Sequence, residues 1–496
     1  MNWLRGTTLV AFATTGWLSA SSHLQAAELA PPTGVQVASH LQKHLLLDNR
    51  IVESADNGIL AVGDVIKHRS NPLFGETLPW ETSISHMYAS VVFDKEDNLY
   101  KCWYYTKIKD WGKDVTPEWR RARNEPYTAI CYATSQDGIH WQKPLLPIFR
   151  YKEQPTNLVF MDEGGTGIFK DTQETDPARR YKMFLRNPSK PIPHKDVMAV
   201  SFSADGLHWS EPKVCPEINA VGDTHNNALW VPELKKYVGI TRLWKGDLKK
   251  VSERQRLVGR TESEDFLQWT EAMDVGLGTG EAQVYSMPIF AYANVYLGLP
   301  AIYTERSDRR VRTELTWSPD TISWHSIENG KQFIPLSEDR DSYEWGCIYA
   351  AAAPVVLEDE IRIYYSAQPS VHGWNPGSLC VATLPLDRWA GYLPQDPTKP
   401  AIVTTKPLTV DGTRLFVNVD AEDGEIAVEV LDQAGKIMSG FTQSDCDILR
   451  TDKIRQVVTW NGNADLSALK GQMVQFRFIV KGSRLYSFYI SADPAG

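Results

Sequence analysis

At 496 residues the chain is too long for one ordinary core and fits two or three domains. Hydrophobic residues make up 42% and charged residues 23%, which excludes a disordered or fibrous chain and fits a folded soluble one. A formal net charge of −9 argues against polyanion binding, so no nucleic-acid partner is expected.

The first residues read as a targeting segment. Arg5 precedes an apolar run from Thr8 to Leu18, and small residues lead to Gln25-Ala26-Ala27. That pattern predicts a signal peptide over residues 1–27 and a secreted or periplasmic protein. The run is too short to span a bilayer and no later segment is apolar enough, so no membrane span is expected. Export permits disulfides, but Cys102, Cys131, Cys215, Cys347, Cys380 and Cys446 are sparse and lack CxxC spacing. Cys102 and Cys131 fall in two strands of one predicted sheet, where a disulfide and buried free thiols are both open.

The strongest signal is an internal repeat. Ser135–Pro144 (SQDGIHWQKP), Ser203–Pro212 (SADGLHWSEP), Ser263–Ala272 (SEDFLQWTEA) and Ser318–Ile327 (SPDTISWHSI) share Ser, a nearby acid, and Trp six residues after the Ser. A weaker copy is Asp387-Arg388-Trp389, and the tryptophans are spaced by 68, 60, 55 and 65 residues. Short Tyr-, Val- and Ile-rich strands lie upstream of each copy: Leu99–Thr106, Tyr181–Arg186, Tyr237–Arg242, Val295–Tyr303 and Ile361–Ser366, with further strands such as Thr128–Ser135 and Val197–Ser203. Short strands at a long fixed period predict an all-β chain, a five-bladed β-propeller over residues 28–395. In the repeat, Asp and Gly make a turn and Trp packs between sheets, so these residues are scaffold.

A boundary falls at Pro394–Pro400 (PQDPTKP). Beyond it Leu408–Val410, Arg414–Val419, Ile426–Leu431, Gln456–Trp460, Val474–Val480 and Leu485–Ile490 read as strands of a β-sandwich over residues 396–496. Its Tyr486 and Phe488 share a face, and its expected role is bracing. Ahead of the first sheet, Leu45–Glu53 (LLLDNRIVE) is expected to join the last blade and close the ring.

Five blades and a sandwich resemble the invertase, levansucrase and arabinanase superfamily of glycoside hydrolases and, more narrowly, glycosidase-like proteins of planctomycetes. The resemblance is carried by Leu45–Glu53, Cys131–Trp141 (CYATSQDGIHW), Phe169–Lys182 (FKDTQETDPARRYK), Gly222–Trp230 (GDTHNNALW) and Thr404–Asp420 (TTKPLTVDGTRLFVNVD). It implies three acids in a central funnel. Lys170-Asp171 stands where the superfamily has Arg-Asp-Pro, with Thr172 in place of Pro. The Asn-Asp-Pro nucleophile motif is absent from Trp80–His86, and there is no Glu-Cys pair.

Glycoside hydrolysis usually needs two carboxylates, and loops leading into innermost strands line a funnel. Acids there are Glu81, Asp171, Asp223, Glu281 and Glu344, the expected catalytic set. Asp171 is expected to stabilise or tune, Asp223 to act as nucleophile or base, and Glu281 or Glu344 to act as the acid. Their neighbours His86, His225, Asn226, Asn227, Gln283, Tyr285, Trp345 and Tyr349 are expected to bind a carbohydrate substrate, as is Asp48 if the closing strand reaches the funnel. For the polar run Gly222–Asn227 a turn is the plain alternative. No cofactor is required and no metal ligands are assigned. A structural calcium held by separate blades is compatible, although no contiguous calcium loop is present.

Two other functions fit the same architecture. A glycan-binding propeller needs aromatic and amide groups but no carboxylate pair. A lyase or sialidase-like enzyme on acidic sugar needs an arginine cluster at the funnel, and Arg306, Arg309, Arg310 and Arg312 are adjacent, although such a run more often lies on a solvated hairpin.

Overall fold

A computed structural model describes residues 43–109, 127–161, 164–187, 197–278 and 280–493; the expected signal peptide lies outside the described residues. The chain is all-β. Among the described residues the only helices are three 3₁₀ turns, Pro177–Arg179, Pro216–Ile218 and Ser467–Leu469, and none is long and apolar enough to cross a membrane.

Antiparallel sheets follow one another along the chain. Sheet one contains Ser90–Asp94, Leu99–Ile108, Tyr127–Ser135 and Trp141–Gln142. Sheet two contains Gly167–Lys170, Tyr181–Asn187, Val197–Ser203 and Lys213–Cys215. Sheet three contains Asn227–Val231, Lys236–Lys245, Gln255–Ser263 and Met273–Asp274. Sheet four contains Ile289–Tyr292, Val295–Gly298, Thr316–Ser318 and His325–Ser326. Sheet five contains Cys347–Ala350, Glu360–Gln368, Ser378–Pro385 and, from the start of the chain, Ile66–Lys67. Gln283–Ser286, Ala301–Tyr303 and Val311–Thr313 extend sheet five through one parallel pairing, Val311 with Cys347. The single strand expected over Val295–Tyr303 is therefore two, interrupted at Leu299-Pro300, where proline has no N–H for a ladder.

The repeated turn has one chemistry. Ser135 donates to Asp137 at 2.9 Å, and the same carboxylate oxygen accepts from the N–H groups of Ile139 and His140 at 2.8 Å. Asp205, Asp265 and Asp320 repeat this. The next residue is left-handed in every copy, with φ of 75°, 76°, 63° and 67° at Gly138, Gly206, Phe266 and Thr321. Phe266 has no glycine-like freedom there, and its fully buried ring, packed on Phe184, Tyr237 and Trp269, offsets a backbone cost of roughly 1–2 kcal/mol.

A second repeat joins neighbouring sheets. An acid at the end of one first strand accepts from a tyrosine opening the second strand of the next sheet. Tyr181 bonds Asp94 at 2.6 Å, Tyr237 bonds Asp171 at 2.7 Å, and Tyr296 bonds Glu233 at 2.6 Å. Lys101 and Lys182 complete the first two at 2.8 and 2.9 Å. Asp171 is thus one staple of a series.

Leu146–Tyr151 and Gln154–Thr156 pair as a separate two-stranded sheet, and two larger sheets are built mainly from C-terminal strands. One runs Gly58–Val62, Ala390–Pro394, Arg484–Ser491, Arg414–Asp420 and Asp452–Val457, with Lys43–Leu45 on Arg484–Ser491. The other runs Val52–Asp56, Ala401–Thr405, Met473–Lys481 and Leu408–Thr409, with Glu425–Leu431 also paired to Met473–Lys481. They meet through a core including Phe476, Phe478 and Phe488. Residues 45–53 do not close the last sheet: Val52–Asp56 pairs with Ala401–Thr405, and Ile66–Lys67 occupies the place expected of them. The apolar run Leu45–Leu47 is split between two cores: Leu46 is fully buried in the C-terminal one, while Leu45 and Leu47 pack in the core that includes Phe290, Ile363 and Trp389. Gly58–Val62 and Ala390–Pro394, both placed within 28–395 by the sequence, pair with each other in a C-terminal sheet. All six cysteines are buried and free.

The staples have a measurable consequence. Lys182→Met strands the Asp171 carboxylate, whose side chain is 2% exposed, and should lower unfolding free energy in urea by about 3–5 kcal/mol. Tyr237→Phe should cost about 1 kcal/mol in the same assay.

Candidate functional site

Where the second strands finish, the sheets surround a pocket of about 490 Å³. Lys107 stands near the end of Leu99–Ile108, Arg186 near that of Tyr181–Asn187, and Arg242 in the second half of Lys236–Lys245. His372 and Trp374 come from the loop after Glu360–Gln368. Approaches to the first strands add His86, Tyr88, Asp223 and Tyr285, and Gln255–Ser263 adds Arg256.

The charge balance is cationic. Asp223, 53% exposed, is the only carboxylate among the described lining residues, and it faces Arg186 at 3.5 Å and Arg242 at 3.4 Å. Enclosure pushes its carboxyl up, but Arg242, Arg186, His86 and Arg256 together hold it below the ordinary range. Arg256 is answered at 2.8 Å by Glu305, which also binds Arg254. The Arg242 side chain is 2% exposed, and its Nε has no hydrogen-bond partner. Its Nη2 donates to the Tyr285 carbonyl and it lies over the Tyr285 ring at 4.5 Å, so with only a long carboxylate contact to balance its charge it has capacity for a further anion. Burial also lowers the Lys107 amine to about 7, and that amine lies against the face of Trp374. Trp374 is 61% exposed, a flat apolar surface at the pocket rim.

Beside the arginines is a set of uncharged proton carriers, with Arg242 at 4.5 Å and Arg256 at 5.6 Å over the Tyr285 ring. His86 Nε2 meets His372 Nδ1 at 3.0 Å, and Tyr349 Oη reaches the same His372 nitrogen at 3.2 Å. One ring nitrogen holds one proton, so these three groups share protons whichever tautomer is present. His86 stacks on Tyr285 with centroids 5.7 Å apart, and the Tyr285 and Tyr88 hydroxyls lie 3.4 Å apart. Burial lowers His86 to about 4, although Asp223 and the Ser85 backbone oppose the shift. His372 is held well below the ordinary imidazole range by burial, then by His86, Arg256 and Arg242, against Asp223.

Backbone strain is concentrated here. His86, Met87 and Tyr88 have successive φ values of 66°, 43° and 44°. Three non-glycine residues in the left-handed region cost on the order of 1 kcal/mol each or more. The fully buried Met87, its N–H on Ile84 O at 3.1 Å and its carbonyl accepting Tyr105 N–H at 2.7 Å, anchors the run.

Of the residues expected from sequence, the pocket brings together His86, Asp223 and Tyr285, with Tyr349 bonded to His372. His225 lies fully buried beneath Tyr88, 5.3 Å between rings, and burial lowers it to about 3 against the Ala350 carbonyl. Asn226 binds the Gly222 carbonyl at 2.8 Å and accepts from Thr241 at 2.7 Å; Asn227 binds the Ile289 carbonyl at 3.2 Å; Gln283 accepts from Arg256 at 3.0 Å. These three amides bind scaffold groups.

The other acids lie outside the lining. Glu81 is buried under Lys143 and the Tyr104 hydroxyl, at 2.8 and 2.6 Å. Asp171 follows Gly167–Lys170 at its far end from the pocket, and Glu344 pairs with Lys67 at 2.6 Å and Tyr365 at 2.9 Å. Glu281 is exposed and accepts from Arg306 N–H at 3.1 Å. Asp48 binds Arg50 and Asn294, and Trp345 stacks under Arg310 at 4.8 Å. The run Arg306–Arg312 makes local bonds to Asp308, Trp345 and Ser337. The pocket guanidiniums come from the strands instead. Arg242 shares a strand face with Val238 and Ile240, and a charge inside an apolar stripe was the available signal. Among the described residues no cluster of three or more His, Cys, Asp or Glu is placed to hold a metal.

No family model matches the chain, and no curated protein matches it in sequence. Among solved structures, β-1,2-mannobiose phosphorylase from Listeria innocua aligns with a TM-score of 0.45 at 14% identity, over 65% of this chain and 97% of that one. An N-acetylgalactosamine deacetylase from F. plautii aligns at 0.40 and 13% identity, over 71% and 97%. A fructofuranosidase from Schwanniomyces occidentalis aligns at 0.38 and 10% identity, over 84% and 99%. Likeness of this degree leaves the chemistry to this chain's own residues.

His86, His225 and His372 stay neutral in the fold at a pH where an unfolded chain protonates them. Their stabilising effect is complete above pH ~6.5 and is lost as pH falls toward 4 and below, by up to about 1.4 kcal/mol per pH unit each. Urea titrations at pH 7.5 and 5 should show the folded state much weaker at pH 5, and His225→Gln should remove about 2 kcal/mol of that difference.

Proposed function

We propose that the chain is a secreted carbohydrate-active enzyme whose pocket takes an acidic saccharide. In this reading the five sheets are the blades of a five-bladed β-propeller, and the two C-terminal sheets form a β-sandwich that braces it. The N-terminal segment supports export. Bracing is supported by Tyr486 and Phe488, both buried, Tyr486 beneath Arg388 at 4.8 Å.

One observation carries the reading: Arg186, Arg242, Arg256 and Lys107 converge on a pocket whose single described carboxylate is Asp223. Guanidinium groups recognise carboxylate or sulfate, and a rim tryptophan suits the apolar face of a sugar ring. The carboxylate pair expected from the sequence is not met by the described lining residues, because Glu81, Asp171 and Glu344 are spent on the lysines Lys143, Lys182 and Lys67. Proton transfer passes instead to the imidazoles and phenols. A strained backbone beneath them favours an enzyme over a passive glycan binder.

Calorimetric titration with matched neutral and uronic-acid oligosaccharides tests the reading. Acidic ligands should bind at least tenfold more tightly, with the margin shrinking as salt rises. Arg242→Gln should weaken acidic ligands by about 10–100-fold, the worth of a hydrogen bond to a charged group, and Trp374→Ala should weaken acidic and neutral ligands alike. Equal affinity for neutral and acidic sugars would refute it.

A further inference from the structure

We propose that the pocket cleaves a 4-linked uronic-acid saccharide by β-elimination, the paired imidazoles of His86 and His372 removing the proton next to the sugar carboxylate. The proposal rests on the acidic-saccharide reading and adds the bond-breaking step.

Hydrolysis by paired acids requires one carboxylic acid that keeps its proton. Asp223 stands alone among the described lining residues and faces two guanidiniums at 3.4 and 3.5 Å, so it is held as an anion. Elimination asks for other things: a cation on the substrate carboxylate, a neutral base, and a proton donor for the departing oxygen. The pocket holds each of them. Arg242, with its unpartnered Nε, and Arg186 both line it. A guanidinium on the carboxylate stabilises charge that develops when the neighbouring C–H loses its proton. His86, His372 and Tyr349 form a chain of contacts at 3.0 and 3.2 Å, able to accept that proton and share it. The Tyr285 and Tyr88 hydroxyls, 3.4 Å apart, are placed to return a proton.

The step balances without an added reactant. The C5–H bond breaks and its proton goes to the imidazole pair. Its electron pair forms the C4–C5 double bond, and the C4–O bond breaks. The departing oxygen takes a proton from the Tyr285 hydroxyl, which the imidazole proton later restores. No water enters either product. The left-handed turn at His86–Tyr88 fits this use, since it sets an imidazole and a phenol from one short segment against the pocket.

The experiment incubates the full chain with oligogalacturonate, alginate, glucuronan and chondroitin oligosaccharides in ¹⁸O-water and follows ultraviolet absorbance and product mass. The expected result is a rise in absorbance from the conjugated double bond, no ¹⁸O at the new reducing end, and a primary isotope effect on turnover with C5-deuterated substrate. His372→Ala should lower kcat by 10³-fold or more with KM changed only a few-fold, and Tyr285→Phe should lower kcat while the variant still binds substrate. Cleavage that incorporates ¹⁸O overturns elimination and leaves the acidic-saccharide reading standing. So does tight binding of the uronates with no cleavage of any. Absence of binding to every uronate overturns both.

Discussion

The structure depends on a bond between neighbours: a tyrosine at the start of one sheet's second strand donates to an acid at the end of the previous sheet's first strand. Asp94 with Tyr181, Asp171 with Tyr237 and Glu233 with Tyr296 repeat it. A sheet of four short strands is marginal alone, and its flanks are closed only by the next sheet. Each staple fixes the relation between two sheets, and at Asp94 and Asp171 the charge is out of water, so their geometry is strongly enforced. The turn chemistry at Asp137, Asp205, Asp265 and Asp320 is local by contrast, and prepares each sheet to receive its neighbour.

Stapling and chemistry are divided between opposite ends of the same strands. First strands run from the pocket toward the staples, as Gly167–Lys170 runs from Gly164 to Asp171. Second strands run back, as Tyr237 at the staple leads to Arg242 at the pocket. Acids are therefore consumed in holding the sheets together, and cations and neutral donors are left at the pocket. The same separation keeps the pocket polar without weakening the joints between sheets.

Much of the architecture was legible because its signals are local. A Ser, an Asp two residues on and a following Trp make a turn wherever they fall, so the repeat and its flanking strands could be placed directly. His86, Asp223 and Tyr285 were within reach for a related reason: approaches to first strands are polar where a packed strand would be apolar. What was hidden is whatever two distant segments decide together. Asp171 looked like a site acid because its partner Tyr237 is 66 residues away. Arg186, Arg242 and Arg256 were passed over because attention fell on loops before first strands, while these arise within strands. Leu45–Glu53 reads as a strand and gives no sign that Lys43–Leu45 is the segment paired, with Ser487–Tyr489.

That last pairing bears on how the chain is made. Synthesis proceeds from the N-terminus, yet Lys43–Leu45 waits for Arg484–Ser491, and Val52–Asp56 waits for Ala401–Thr405. Ile66–Lys67 likewise stays unsheltered until Ser378–Pro385 arrives. Intermediate sheets can assemble as they emerge, but Lys43–Leu45 has no partner strand until Arg484–Ser491 has been made. Contacts of such sequence separation are slow to form and leave strand edges bare meanwhile. Lys43–Leu45, Val52–Asp56 and Ile66–Lys67 are thus strand edges that must avoid wrong partners until their own have been made.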